Sequence, residues 1–286
     1  MLCGVTCNWQ GWPAFVRTVG VVCTALLINY GTASADDAPR WREVWTGADA
    51  TEHGWLVYTG TTTSPFTGIH EQGLRLRMAT GYGGYEYSGF RRTSGKTAEM
   101  KAFEARTGFA EGLLGYLWRF DPLIVKVFGG VSAIGHEISP FDDENLATGL
   151  DWGPKGVIEL WLNMGTDMWG SLDLTWSGAH NTRSARARLG YRLQPMLSIG
   201  LEGRFNIDEQ GDCDIHWTET AACKLQYRPD SERTDIIDYS RAGAFARYEW
   251  DGGEISVSGG VSAGVLGREA DADLNPYITM NWIKQF

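Results

Sequence analysis

Apolar and polar side chains alternate along many segments of this chain, which is the period-two pattern of a β-strand with two different faces. In 171–177 every second residue is Leu or Trp, and the residues between them are Ser, Asp and Thr. The same alternation recurs in 157–168, 185–194, 197–208 and 254–265. No strand–helix alternation appears along the chain, so the pattern predicts an all-β protein and argues against an α/β enzyme.

Three features favour a membrane barrel over a soluble sandwich. One face of each strand holds ionised residues while the other is apolar, and the segments run to ten residues or more, as a tilted bilayer crossing requires. Aromatic residues gather near strand ends like interfacial girdles: Tyr116, Trp118, Phe120, Trp161, Trp169, Tyr248, Trp250, Trp282 and Phe286. Strands in lipid must close to pair every backbone group. We therefore predict an antiparallel transmembrane β-barrel of about 12 strands, within a range of roughly 10 to 14.

The alternation is less regular in the first half of the chain. Leu74, Leu76 and Met78 share one phase, whereas Tyr85 and Tyr87 follow two glycines in the opposite phase. A glycine bulge would return both tyrosines to the outer face, and we expect one there. Within 103–120 the apolar pattern also changes phase, near position 110.

The links between the expected strands fall into two length classes. Short, turn-like links occur at 119–122, 169–170, 194–196 and 251–253, and long ones at 139–153 and about 209–240. Such barrels have short periplasmic turns and longer surface loops. With the N-terminus in the periplasm, the two classes alternate as the strand count requires.

The N-terminal segment has the features of a secretory signal. Arg17 precedes ten largely apolar residues, and Ala33 and Ala35 frame an A-x-A cleavage site before Asp36. Ten apolar residues are too few for a helix that spans a bilayer, which needs roughly 20. We expect a signal peptide at 1–35 and a single barrel domain at 36–286, exported to the bacterial outer membrane and surrounded by its lipid.

Two cysteines, Cys213 and Cys223, remain after removal of the signal, and both fall in the longest expected loop. In an oxidising compartment an even pair predicts a disulfide. The alternative is a metal site that also uses His216, but no fourth ligand follows at ordinary zinc spacing.

The polar strand faces carry charges that should point into the lumen. They could line a water-filled passage, or they could close the lumen by pairing with one another, and a barrel of this size permits both. The expected lumen-facing residues are Arg75, Arg77, Lys126, Glu159, Asp173, Arg186, Arg188, Arg192, Glu202, Arg204, Arg247, Glu249 and Glu254.

An acidic run and three aromatic residues in the expected loops could bind a ligand, or they could have a purely structural role. The acidic run 141–145 offers oxygens to Ca²⁺ but matches no twelve-residue calcium loop, so a solvated loop explains it equally. Phe141, Trp152 and Trp217 could stack on sugar rings, or they could pack the loops or lie at the membrane interface. We retain them as candidate glycan contacts.

No catalytic or cofactor motif emerges. The net charge of −10 disfavours nucleic acid as a partner. The glycines of 81–87 precede no helix and so supply no nucleotide-binding motif, and we expect no cofactor. His136 and Ser139 are the nearest hydrolase-like pair, but residues three apart on a strand point to opposite faces.

Several short segments, in this order along the chain, resemble the cellulose biosynthesis protein BcsS family of proteobacteria: 43–49, 81–87, 115–116 and 135–149. The resemblance implies a non-enzymatic role in bacterial cellulose biosynthesis, export or surface organisation, with cellulose or the cellulose synthase and export machinery as partners. It supplies no catalytic residues. A general small porin or surface adhesin, and an outer-membrane hydrolase, remain alternatives.

Overall fold

The structure, a computed structural model, describes residues 39–92, 98–142, 145, 148–209, 236–263 and 274–286. Within these residues twelve antiparallel strands form one closed barrel, in which sequence neighbours pair and the last strand pairs with the first. The predicted all-β barrel is confirmed. The strands are β1 (Arg42–Thr51), β2 (Gly54–Thr63), β3 (Gly73–Arg92), β4 (Ala98–Phe120), β5 (Leu123–Ser139), β6 (Gly149–Met164), β7 (Met168–Ser177), β8 (Thr182–Gln194), β9 (Leu197–Glu209), β10 (Ile236–Trp250), β11 (Gly253–Ala263) and β12 (Asn275–Gln285).

The two ends of the barrel differ in their connections. We call the end with the links 121–122, 165–167, 195–196 and 251–252 the turn end, and the opposite end the loop end. A further link at the turn end, 64–72, is longer than these four. The link expected at 169–170 is wrong, because those residues belong to β7 and the turn lies at 165–167, where Gly165 has φ +75°.

Successive residues point alternately into and out of the barrel. On β9, Ile199 and Leu201 are exposed on the outside, whereas Ser198 and Glu202 on the inside are buried. Most of the exposed large apolar side chains lie on this outer face, among them Met78, Leu114, Leu174, Leu189, Val257 and Met280. Among the described residues there is no helix of sufficient length and apolarity to cross a membrane.

The expected bulge in β3 is wrong, and β4 contains no bulge where its apolar pattern changes phase near position 110. These strands pair without a break from Gly73 opposite Leu117 to Arg92 opposite Ala98. Tyr85 and Tyr87 therefore point inward, and Tyr87 stacks on Phe103 with ring centroids 5.0 Å apart.

The reason is that β3, β4 and β5 extend beyond the apolar band. We call the parts from Gly83, Thr107 and His136 to the loop end the loop-side extension. Its outer face carries exposed charges, namely Glu86, Glu104, Arg106 and Glu137. Outside lipid the outer face meets water, so the apolar residues of the same strands pack on the inside. Phe103, Ala105 and Ile138 form that inner cluster.

Candidate functional site

The interior of the barrel is crossed by ion pairs between strands that are not neighbours. Arg77 on β3 donates to Glu159 on β6 at 2.5 Å, with β4 and β5 between them. Lys126 on β5 lies 3.3 Å from the other oxygen of Glu159. The Arg77 guanidinium also rests on the Phe128 ring at 4.0 Å, within a buried cluster of Leu113, Phe128 and Val157. The Glu159 carboxylate thus pairs with two cations next to a buried apolar cluster.

A second network is centred on Glu202 of β9. One of its oxygens accepts from Arg186 at 2.8 Å and from Arg188 at 3.1 Å. The other accepts the hydroxyl of Tyr277 at 3.0 Å, although β10 and β11 separate the two strands. The carboxylate is buried, and these donors use both of its oxygens.

A third pair joins β10 to β1. Arg241 binds both carboxylate oxygens of Asp49, one of them at 2.6 Å, and Thr279 donates to the same carboxylate at 2.9 Å. The side chains of this pair are nearly buried. Neither Asp49 nor Arg241 was selected from the sequence. Arg241 could have been found by its phase, since it precedes Arg247 by an even number of residues on one strand.

The turn-end plug, which we define as Trp161, Trp169, Phe245, Arg247 and Glu254, fills one side of the barrel near the short turns. The two indoles stack with centroids 4.3 Å apart, and Phe245 lies 5.4 Å from Trp169. The Arg247 guanidinium lies 4.8 Å and 5.2 Å from the two indoles and also pairs with Glu254. The expectation that Trp161 and Trp169 belong to a lipid-facing girdle is therefore wrong.

A glycine makes room for this plug. A Cβ on Gly190 would lie 2.3 Å from a ring carbon of Trp169, which is fully buried. A side chain on β8 at this position would displace the indole. The sequence signal was available, because Trp161 and Trp169 have the same phase as Glu159 and Ser171 on their strands.

The link 64–72 covers another part of the turn end, and Arg75 holds it there. The guanidinium donates to the Ser64 hydroxyl at 2.7 Å and to the carbonyls of Gly68, Ile69 and Glu71. Ile69 is buried. Arg119 on β4 adds a bond to the His70 carbonyl at 2.7 Å, so two strands fix the segment over the barrel end.

The remaining charges selected from the sequence differ in the contacts that they make. Arg192 bonds to Asn163 at 2.9 Å and to the Thr166 carbonyl at 3.1 Å. Glu249 pairs with Arg247 at 2.9 Å. Asp173 lies opposite both Glu159 and Arg186 in the sheet. Arg204 bonds only to Asn206, at 3.2 Å, among the described residues.

The loop-side extension contains a polar cluster above its aromatic packing. The Tyr87 hydroxyl donates to buried Asp142 at 2.8 Å, and the Tyr85 hydroxyl lies 3.3 Å from Nδ1 of His136. The His136 ring meets that of His180 edge to face at 5.1 Å. Burial, and then the nearby His180, lower the pKa of His136 to about 4. Ser139 lies three residues from His136 on β5 and points to the opposite face, as expected.

The residues expected in surface loops and considered for ligands are only partly described. The loop placement of Trp152 is wrong, because β6 begins at Gly149 and Trp152 pairs with Ala133 of β5. Phe141 and Trp152 are 72% and 74% exposed, so both rings are accessible. Trp217, Cys213, Cys223, His216 and the segment 1–35 lie outside the described residues. In the described part of the chain no three His, Cys, Asp or Glu side chains converge as metal ligands.

A closed antiparallel barrel with an apolar exterior and a charged interior is an outer-membrane-type β-barrel. Within this class, the sequence model of the cellulose biosynthesis protein BcsS family matches residues 44–214. The chain belongs to that family. A comparison with curated proteins found no match.

Several solved outer-membrane barrels are similar in fold. The KdgM porin, in complex with disordered oligogalacturonate, shares 8% identity and covers 85% of this chain and 99% of its own, with TM-score 0.46. LpxR from Salmonella typhimurium shares 11% identity over 85% and 100% of the two chains, with TM-score 0.46. The translocator domain of the autotransporter NalP from Neisseria meningitidis shares 13% sequence identity and covers 95% of this chain and 96% of its own, with TM-score 0.43.

Proposed function

We propose that this protein resides in the bacterial outer membrane and serves cellulose biosynthesis as a non-enzymatic docking site or organiser. Membership of the family supports the pathway. The observation that carries the mode of action is the contact of Arg247 with Trp161 inside the barrel, which joins two strands that have three others between them. A passage for a polysaccharide would need that space to be free.

The other interior contacts support the same conclusion. Arg77–Glu159, Arg241–Asp49 and Tyr277–Glu202 each span strands with two others between them. Such bridges place side chains inside the space that a passing sugar chain would need. The barrel would therefore act through its surfaces, which reach the periplasm at one end and the exterior at the other.

A non-enzymatic role is supported by the position of the nearest catalytic-type pair. His136 points inward and contacts Tyr85, whereas Ser139 points outward on the same strand. The two side chains cannot share a substrate atom. Replacing either residue by Ala should leave cellulose production unchanged, and a loss with His136→Ala alone, at normal protein level, would reopen the hydrolase alternative.

The first experiment is deletion of the gene, followed by assays of cellulose output and of its attachment to the cell surface. We expect one of the two to fall, and expression of the wild-type chain to restore it. Unchanged output and attachment would refute the role in cellulose biosynthesis. Recovery of the protein in the outer-membrane fraction, with a heat-dependent shift on a semi-native gel, tests location and closure separately.

Conductance in planar bilayers tests the docking mode against a passage. A side-chain-filled barrel should give no steady conductance. A stable open channel in the wild-type protein would contradict the docking role and support a passage or a general porin.

The exposed aromatic rings are proposed as glycan contacts. Phe141→Ala and Trp152→Ala should each reduce binding of the purified barrel to cellulose, since flat apolar ring faces pack on sugars. Phe66→Ala is the matched control, because Phe66 is 81% exposed but lies at the turn end. If all three variants bind cellulose equally well, Phe141 and Trp152 are not glycan contacts. Trp217 remains a further candidate.

Export and loop cross-linking are also proposed. Cleavage before Asp36 predicts a mature chain that begins at that residue, which the intact mass of the membrane-extracted protein tests.

A bond between Cys213 and Cys223 predicts that neither thiol reacts with an alkylating reagent until the protein is reduced. Reaction of both thiols in the oxidised protein would contradict the disulfide.

A further inference from the structure

Three arginines lie side by side on the inner wall in the loop half of the barrel. Arg204 on β9 is directly opposite Arg186 on β8 and directly opposite Arg241 on β10. We call these three residues the basic row. Neighbouring strands are about 4.8 Å apart, and like charges placed directly opposite one another destabilise a sheet. The row therefore needs compensating negative charge.

Among the described residues, carboxylates within hydrogen-bond distance serve the two outer members only. Arg186 has Glu202 at 2.8 Å, and Arg241 has both oxygens of Asp49. Glu202 is also occupied by Arg188 and by the Tyr277 hydroxyl. Both carboxylates are thus committed to partners other than Arg204.

The middle member has no hydrogen-bonded carboxylate among the residues that the structure describes. In the described part of the chain, the only hydrogen bond of Arg204 runs from Nε to the neutral amide of Asn206. Its side chain is nevertheless exposed, although it points to the inside, where Glu202 two residues earlier is buried. Within the described residues the terminal nitrogens of Arg204 thus make no hydrogen bond, and they lie on the inner wall between two further cations.

We propose that the basic row binds an oxyanion, a carboxylate or phosphate group, at Arg204. A guanidinium presents a planar fork of donors that matches both groups, and the flanking arginines add positive potential. The ligand enters from the loop end, because the turn-end plug and the Arg75-held link obstruct the other end. Since cellulose is a neutral glucan, this site lies beyond the proposed function and would take an acidic sugar or a phosphorylated molecule.

The test uses the folded, detergent-solubilised full barrel, with glucuronate and inorganic phosphate as probes in isothermal titration calorimetry. We expect at least one probe to bind, and added sodium chloride to weaken binding by screening. Arg204→Gln should weaken it about tenfold or more, the loss expected for a charge-assisted hydrogen bond. Binding of glucuronate alone identifies a carboxylate site, and binding of phosphate alone a phosphoryl site.

Two further variants keep the result decisive. Arg192→Gln removes an inward arginine at the turn end, and it should leave the affinity unchanged. Arg204→Lys keeps the charge but loses the fork, and it should bind more weakly than wild type and more tightly than Arg204→Gln. Absence of binding by the wild-type barrel, or equal affinity in wild type and Arg204→Gln, would overturn the proposal.

Discussion

Arg247 and Trp161 meet inside the barrel with the guanidinium carbon 4.8 Å from the ring centroid, although β7, β8 and β9 separate their strands. Backbone hydrogen bonds connect each strand only to its two neighbours. Contacts such as this one connect strands that are not neighbours in the sheet. Packing in the interior therefore stabilises the closed barrel. The following predictions concern that packing.

Trp169→Ala should weaken the turn-end plug. Trp169 is fully buried against Trp161, Phe245 and Arg247. Its truncation leaves a cavity, and we expect a loss of about 3–5 kcal/mol in the free energy of unfolding. Urea unfolding in lipid vesicles measures this loss, and planar bilayers should then show conductance that the wild type lacks. Trp176→Ala, on the outer face, is the control. Similar losses for both variants would argue against a buried plug.

Arg75→Lys should release the link 64–72 while the barrel stays closed. An ammonium group cannot reach the hydroxyl and the several carbonyls that the guanidinium binds. We expect rapid protease cleavage within 64–72 and a cost of about 2 kcal/mol or more. Arg192→Lys, at the same end of the barrel, should not expose that segment. If the link in Arg75→Lys is cut no faster than in wild type, Arg75 does not hold it.

Asp49 and Arg241 should be strongly coupled. Their bidentate pair is nearly buried, so loss of either partner leaves an uncompensated charge and should cost about 3–5 kcal/mol. In a double-mutant cycle with Asp49→Asn and Arg241→Gln, we expect a coupling energy of about 1–3 kcal/mol. Additive single effects would show that the pair contributes nothing beyond its separate residues.

Acid should destabilise the loop-side extension through His136. The pKa of His136 in the folded protein is about 4, below its ordinary value of 6.5, so the unfolded chain takes up the proton first. Stability should therefore be highest above about pH 6.5 and should fall by up to roughly 3 kcal/mol as the pH drops towards 4. Unfolding measured across this range should show a shallower fall for His136→Phe.

Phe103→Leu is the control for this pH dependence. It disturbs the same cluster without removing a titrating group, so it should lower stability by a similar amount at every pH. An unchanged pH dependence in His136→Phe would mean that other groups cause the acid sensitivity.

The boundary of the apolar band can be mapped with arginine substitutions on the outer face. Ile158 lies outward on β6 within the band, whereas Glu104 lies outward in the loop-side extension. Ile158→Arg should cost about 2–4 kcal/mol if the site is near the bilayer centre. Glu104→Arg should cost little, because it also removes the like-charge opposition to Glu86. Refolded fractions in lipid vesicles give both values, and equal costs would contradict the assigned boundary.

Most of the barrel was predictable from the sequence because strand faces are a local property. Alternation within ten residues determines which side chains share a face, as on β7 and β9, and turn residues mark the strand ends. The first half of the chain, where the alternation is less regular, nevertheless supplies β1 and β2, since barrel closure requires partners for β12 and β3.

The tertiary structure decided which environment each strand face contacts: lipid, water or the interior of the barrel. Tyr85 and Tyr87 point inward because the membrane band ends below them, and a pattern of period two does not record where lipid stops. Trp161 and Trp169 pack inside because Arg247 lies opposite them, a relation between residues far apart in the chain. The sequence by itself determined the strands and their two faces, whereas the pairing of interior charges, and the exposure of Arg204 among them, follows only from closing twelve strands into one circle.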